Sequence, residues 1–239
     1  KAKYPGITVN ELNPDAGSAD EIEAIKANIG NTGPQAPDVL DIGLSYASSA
    51  TKEGLLLPYK VSMWDKIRDD AKDADGHWYG GYYGTLSLIV NKDLVANPPQ
   101  DWADLLKPEY AGQVAFGGDP RTANQAVHGV WAAGLAASGG DRAKAAEAGL
   151  EFMKQLNDAG NFVSVEVKSA PLAQGTTPIG IAWDYNELAW QKSLAGNPPT
   201  EIIVPKSAVV SGFYAQAISA HAPHPNAGKL RASFLWRDT

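Results

Sequence analysis

Apolar and polar residues alternate from Ile7 to Leu12, the two-residue period of a half-buried strand. Gly17-Ser-Ala-Asp20 then reads as a helix start, with Ser18 as N-cap ahead of Glu21 and a helix running through Ile25 to Ile29. Beyond the loop Asn31–Pro37, the short apolar run Asp38–Ile42 predicts a buried strand, and strand, helix and strand in succession favour a parallel sheet. Small residues from Ser45 to Ala50 open a second helix, which Gly54-Leu-Leu-Leu-Pro58 closes. A Gly- and Tyr-rich approach, Tyr79–Gly84, leads into the apolar run that ends at Asn91 and reads as a strand crossing between two compact units. Helices are predicted at Trp102–Leu106, Ala123–Ser138 and Asp141–Asp158, the last two separated by Gly139-Gly140, which has the turn chemistry expected between antiparallel neighbours. Strands are predicted at Gln113–Phe116, Phe162–Val167, Ile179–Ala182, Ile202–Val204 and Gly212–Ile218, so the class is α/β.

Composition narrows the function classes. The 239 residues suffice for one large domain or two small ones, and 44% hydrophobic content supports real cores. A formal charge of −7 argues against a nucleic-acid partner, which needs a basic face. Cysteine is absent, which removes disulfides, thiol catalysis and cysteine-based zinc sites. Gly-x-Ser-x-Gly, the phosphate loop and His-Glu-x-x-His are all absent too. The scattered Asp and Glu residues leave a cleft carboxylate pair open, so a hydrolase or transferase on a two-lobed α/β scaffold stands as the alternative to a binding protein. His221-Ala-Pro-His224 is the one close histidine pair in the sequence, and Pro223 opposes helical ligation there, so no metal is expected.

Two segments carry candidate recognition chemistry. Asp119-Pro-Arg-Thr-Ala-Asn-Gln125 precedes a long helix that Thr122 or Asn124 would cap; exposed amides with Arg121 nearby suit a carboxylate, phosphonate or phosphate. The alternative is a plain capped helix with Arg121 paired to Asp119. Trp183-Asp-Tyr-Asn186 follows the run Ile179–Ala182, where a strand gives way to a loop: Trp183 and Tyr185 would stack on a ligand and Asp184 pair with an amine, or else Trp183 is core and Asp184 a cap. Tyr82 and Tyr83 point to opposite faces of an extended segment, so one of them at most faces a ligand. Gly80, Gly81, Gly84 and Gly212 offer backbone freedom near the crossing, or serve tight turns.

The segments Leu88–Leu94, Pro98–Val114 and Asp119–Thr122 resemble the extracellular solute-binding proteins of bacterial ABC importers, those with the type II periplasmic binding fold. Tyr4–Val9, Asp38–Asp41, Trp183–Tyr185 and Pro225–Leu230 extend the likeness in the family's order. The resemblance implies two lobes, each a mixed sheet flanked by helices and joined by a two-strand hinge: residues 1–84 and 209–239 in lobe one, 85–208 in lobe two. Against the family's usual length, an earlier strand and further C-terminal helices are expected beyond this chain. It also implies a monomeric, non-enzymatic subunit without a cofactor, periplasmic or tethered outside a single-membrane cell, which captures a small solute and delivers it to a membrane permease. The solute would be an amine, polyamine, phosphonate or other small organic ion. Ser18 and Ser45 match the family's first-lobe ligand loops, which completes a candidate set of Ser18, Ser45, Tyr82, Tyr83, Arg121, Thr122, Trp183, Asp184 and Tyr185. Relatives that carry ferric iron use neighbouring tyrosines, whereas Trp183–Asn186 has one, a departure that argues against iron.

Overall fold

A computed structural model describes residues 4–13 and 16–235. In chain order the elements are α1 (Ser18–Ala27), β1 (Val39–Gly43), α2 (Leu44–Lys52), β2 (Trp78–Asn91), β3 (Val114–Phe116), α3 (Asn124–Ala137), α4 (Ala145–Asp158), α5 (Ser169–Gln174), β4 (Ile179–Trp183), α6 (Asp184–Leu194), β5 (Thr200–Ile203), β6 (Ser211–Ile218) and α7 (Pro225–Leu235). The chain forms two compact units, one of Lys1–Tyr83 with Phe213–Thr239 and one of Gly84–Gly212.

In the first unit β1 pairs antiparallel with β6, from Val39 opposite Ile218 to Gly43 opposite Tyr214. Leu40 and Ile42 of β1, with Ala215 and Ala217 of β6, pack against Ile22 and Ile25 of α1 and Ala47 and Ala50 of α2. A second cluster gathers Ile218, Val61, Ile67 and Tyr79 with Ala232 of α7. The expected strand at Ile7–Leu12 is not formed, nor is a parallel β-α-β start. Val9 and Leu12 are exposed, and no strand among the described residues pairs with the segment, so its alternation has no ladder to join. The amides of Asp41 and Gly43 in β1 are instead satisfied by α1, donating to Glu21 Oε2 at 3.1 Å and Ser18 Oγ at 3.0 Å. Side chains thus stand where a neighbouring strand would have stood.

In the second unit the latter half of β2 lies between β4 and β5, both antiparallel to it. β3 extends the sheet parallel to β4, with Val114 opposite Ile179 and Phe116 opposite Ile181. Ile89, Ala115, Val167, Leu172 and Ala182 form a core cluster on this sheet. α3 and α4 pack backbone to backbone: a Cβ on Gly134 would lie 1.9 Å from the Ala145 carbonyl oxygen. Between them Gly139 and Gly140 take φ of 67° and 92°, the left-handed region glycine tolerates. Of the predicted strand at Phe162–Val167 only a single bridge from Phe162 to Val114 forms.

The glycines along the β2 and β6 segments do not serve tight turns. Gly80, Gly81, Gly84 and Gly212 all lie in extended strands and none has a positive φ. Their value is space: a Cβ would meet Gln216 Cγ at 2.9 Å on Gly81, the Tyr185 ring at 2.6 Å on Gly84, and the Trp183 ring at 2.8 Å on Gly212.

Candidate functional site

The start of α3 is built by one carboxylate and two glycines. Asp119 accepts the Arg121 amide on Oδ1 at 2.8 Å, and its carbonyl accepts the amides of Thr122 at 3.0 Å and Ala123 at 2.7 Å. Gly118 turns the chain at φ 112°, and Gly117 leaves room for the side chain of Gln125, whose Nε2 would lie 2.5 Å from a Cβ there. The N-cap is Ala123, in extended conformation and without a side-chain cap, so neither Thr122 nor Asn124 caps the helix. The amides of Asn124, Gln125 and Ala126 find no acceptor among the described residues, the usual state of a first turn that lacks a capping side chain.

Asn124 adds to these a feature that helix starts rarely carry. It is 1% exposed, and neither Oδ1 nor Nδ2 has a hydrogen-bond partner. A buried amide left without partners is costly, and such groups call for a ligand or an ordered water. Arg121 is largely exposed, with its guanidinium paired to Asp119 through Nε at 3.0 Å, so the ion pair set against anion binding at the sequence level does form. Arginine holds that carboxyl down at about 2.

β4 delivers Trp183 next to this turn, and Gln125 ties the two together. Its Oε1 accepts the Trp183 amide at 3.3 Å and Asn186 Nδ2 at 3.2 Å. The expected loop after Trp183 is a helix, since α6 begins at Asp184. Trp183 is fully buried, its ring 5.4 Å from His128 and against Gly212, so it packs in the core and does not stack on a solute. Asp184 Oδ1 accepts the amides of Tyr185 at 2.8 Å and Thr85 at 3.1 Å, which joins α6 to β2. Tyr185 is half-buried over Gly84.

Glu187, one turn into α6, was not among the residues singled out in the sequence. It is fully buried, receives a hydrogen bond from Ser87 on Oε2, and leaves Oε1 without a partner. Burial pushes its carboxyl up to about 8, so it is held protonated at neutral pH.

In the first unit Ser18 is 4% exposed and is not an N-cap, a position Gly17 takes. Its hydroxyl accepts the Gly43 amide and so fixes the turn into α2. Ser45, in the first turn of α2, is exposed. Tyr82 stacks on Tyr214 with ring centroids 5.1 Å apart and donates to Asp41 Oδ2 at 3.1 Å. Tyr83 is 75% exposed. His224 pairs with Asp38 at 3.1 Å. Asp73, Asp75 and His77, which no sequence motif marks, have ligand atoms within 4.8 Å of one another. Asp73 Oδ2 there already accepts the amides of Asp75 and His77 and contacts His77 Nδ1 at 2.7 Å, so the cluster organises its own turn.

No helix among the described residues is long and apolar enough to cross a membrane. Part of the chain, 119 residues or 49% of it, is 31% identical to a Sinorhizobium fredii protein named "Probable ABC transporter periplasmic-binding protein y4fP". The match covers 32% of that relative, so the chain spans about a third of its length. The fold is shared with solved structures. The periplasmic binding protein P5PA superposes with a TM-score of 0.77 at 23% identity, over 93% of this chain and 69% of that one. AfuA from Actinobacillus pleuropneumoniae, with exogenous fructose-6-phosphate bound, gives 0.75 at 24% identity over the same shares, 93% and 69%. Residues 35–234 match the family described as bacterial extracellular solute-binding protein. The match takes in β1 through most of α7, and the chain is a member of that family of bacterial extracellular solute-binding proteins.

Proposed function

We propose that the protein is the solute-capturing subunit of an ABC importer, outside the cytoplasm, and that its solute is a small organic ion with a carboxylate, phosphate or phosphonate group. The observation that carries the solute class is the start of α3, where three amides without acceptors and the unpartnered amide of Asn124 gather on one turn. An anion there accepts from backbone N–H groups at the positive end of the helix dipole and from Asn124 Nδ2. Thr122 and Arg121 flank the same turn, and Arg121 reaches a solute anion by leaving Asp119. Asp184 and Tyr185 supply a carboxylate and an aromatic surface in the same unit. Binding is non-covalent, and the membrane permease is the partner.

The binding of fructose-6-phosphate by the Actinobacillus protein supports an organic anion. A titration of the protein with fructose-6-phosphate, 2-aminoethylphosphonate, glutamate, spermidine and inorganic phosphate tests the proposal. A ligand at about 100 times its dissociation constant adds about 2.7 kcal/mol to stability, a shift of several degrees in Tm for a chain of this size. A saturable shift with an anionic member and no product formed is the expected result. Binding of spermidine alone, or turnover of any member, would overturn the proposal.

A further inference from the structure

A second constellation lies in the first unit, on a groove of about 360 Å3 lined by Asp41, Gly81, Tyr82, Gln216, Arg231 and Leu235. That volume is within the range of small-molecule sites. Gln216 is 4% exposed and forms the floor: its Nε2 donates to Asp41 Oδ1 at 2.7 Å, and its Oε1 accepts from an Arg231 nitrogen at 3.1 Å. One neutral amide thus separates a carboxylate from a guanidinium. Beyond that bond to Gln216, most N–H donors of Arg231 remain for another acceptor. Asp41 has both oxygens oriented by neutral donors, Gln216 and the Tyr82 hydroxyl. Glycine at position 81 is what admits this floor, since a Cβ there would lie 2.9 Å from Gln216 Cγ. The Tyr82 ring, stacked on Tyr214, and the half-exposed Leu235 add an aromatic and an aliphatic wall.

We propose that this groove is a binding site for a zwitterionic amino acid with an apolar side chain: its carboxylate on Arg231, its ammonium on Asp41, its side chain against Tyr82 and Leu235. The guanidinium fork matches a carboxylate in two-point geometry. Asp41 disfavours a phosphate dianion and Arg231 disfavours a polyamine, so a ligand carrying both signs a few ångströms apart is the class that satisfies the two ends at once. The ring of Tyr82 gives the ammonium a second electrostatic partner.

The test is a calorimetric titration of the whole chain with L-phenylalanine, phenethylamine and 3-phenylpropionate. Phenylalanine is expected to bind saturably, and each single-charged analogue at least about tenfold more weakly, a difference of about 1.4 kcal/mol. Arg231→Gln should abolish the preference over phenethylamine, Asp41→Asn the preference over 3-phenylpropionate, and Arg231→Lys should fall between, because it keeps the charge and loses the fork. Asn124→Leu and Arg121→Ala, in the other unit, should leave phenylalanine binding unchanged, so failure here is distinguishable from failure of the α3 proposal. No saturable binding of phenylalanine, or binding that survives both groove substitutions and is lost in Asn124→Leu, would overturn the assignment.

Discussion

Asn161 and Asn124 are both in the second unit, both almost fully buried and both leave Oδ1 without a partner, yet they differ in what Nδ2 does. Asn161 donates to the carbonyls of Leu105 and Lys107, at 2.8 Å each, and so holds the turn that follows Trp102. The Asn124 side chain neither donates nor accepts a hydrogen bond. A buried amide that ties two segments together is a structural group, and its loss is read in stability. One that is buried, unpartnered and set on a helix start with open amides serves something absent from the chain, and its loss should be read in binding.

Replacing Asn161 with leucine should have the largest effect. Leu105 loses the donor to its carbonyl, and the unsatisfied group costs about 1–3 kcal/mol, enough to lower Tm by several degrees while solute binding persists in the folded fraction. Asn124→Leu should reverse the pattern, with Tm unchanged or raised and affinity for the anionic solute reduced at least about tenfold, or 1.4 kcal/mol. Should Asn124→Leu instead destabilise as Asn161→Leu does, the contrast between the two residues collapses.

Glu187 sharpens the comparison through pH. Its folded carboxyl titrates at about 8 against an ordinary 4.5, so the folded state binds the proton more tightly than the unfolded chain. The stability this gives is fully present below the ordinary value and is lost as pH rises through the folded one. Glu21, pushed to about 7 by burial, adds to the same fall over the lower part of that window. Thermal melts between pH 5 and 8 should therefore show Tm declining, and Glu187→Gln should flatten the decline. A decline of the same slope in Glu187→Gln would assign it elsewhere. Arg121→Ala should be the mildest change. The side chain is 86% exposed, so Tm stays within experimental scatter while affinity for the anion falls severalfold and depends less on salt.

Several strands, though not their antiparallel pairing, were legible because they are short runs bounded by turn residues, as in Val39–Gly43, Ile179–Trp183 and Ser211–Ile218. α6 was not, because Glu187 occupies a buried position where the helical period calls for an apolar residue, and Asp-Tyr-Asn at its start reads as a loop. The alternation at Ile7–Leu12 misled for a different reason: period two records which faces differ, not whether a partner strand exists. The Asp119–Gln125 turn could be read as a helix start from its residue types, and the family resemblance is what made it a candidate site. That Asn124 would be buried without partners could not, since burial and pairing depend on tertiary packing that residue types do not record. Trp183 and Ser18 were chosen for chemistry they do possess, and packing commits both to the fold.

The central claim is that the start of α3 binds the anionic end of a small solute. Isothermal titration of the protein and its Asn124→Leu variant with 2-aminoethylphosphonate and fructose-6-phosphate tests it most directly. The account requires saturable binding of at least one of the two by the unaltered protein and its loss in a variant that melts at the same temperature or above. Equal binding by both proteins, or none by either, would contradict it.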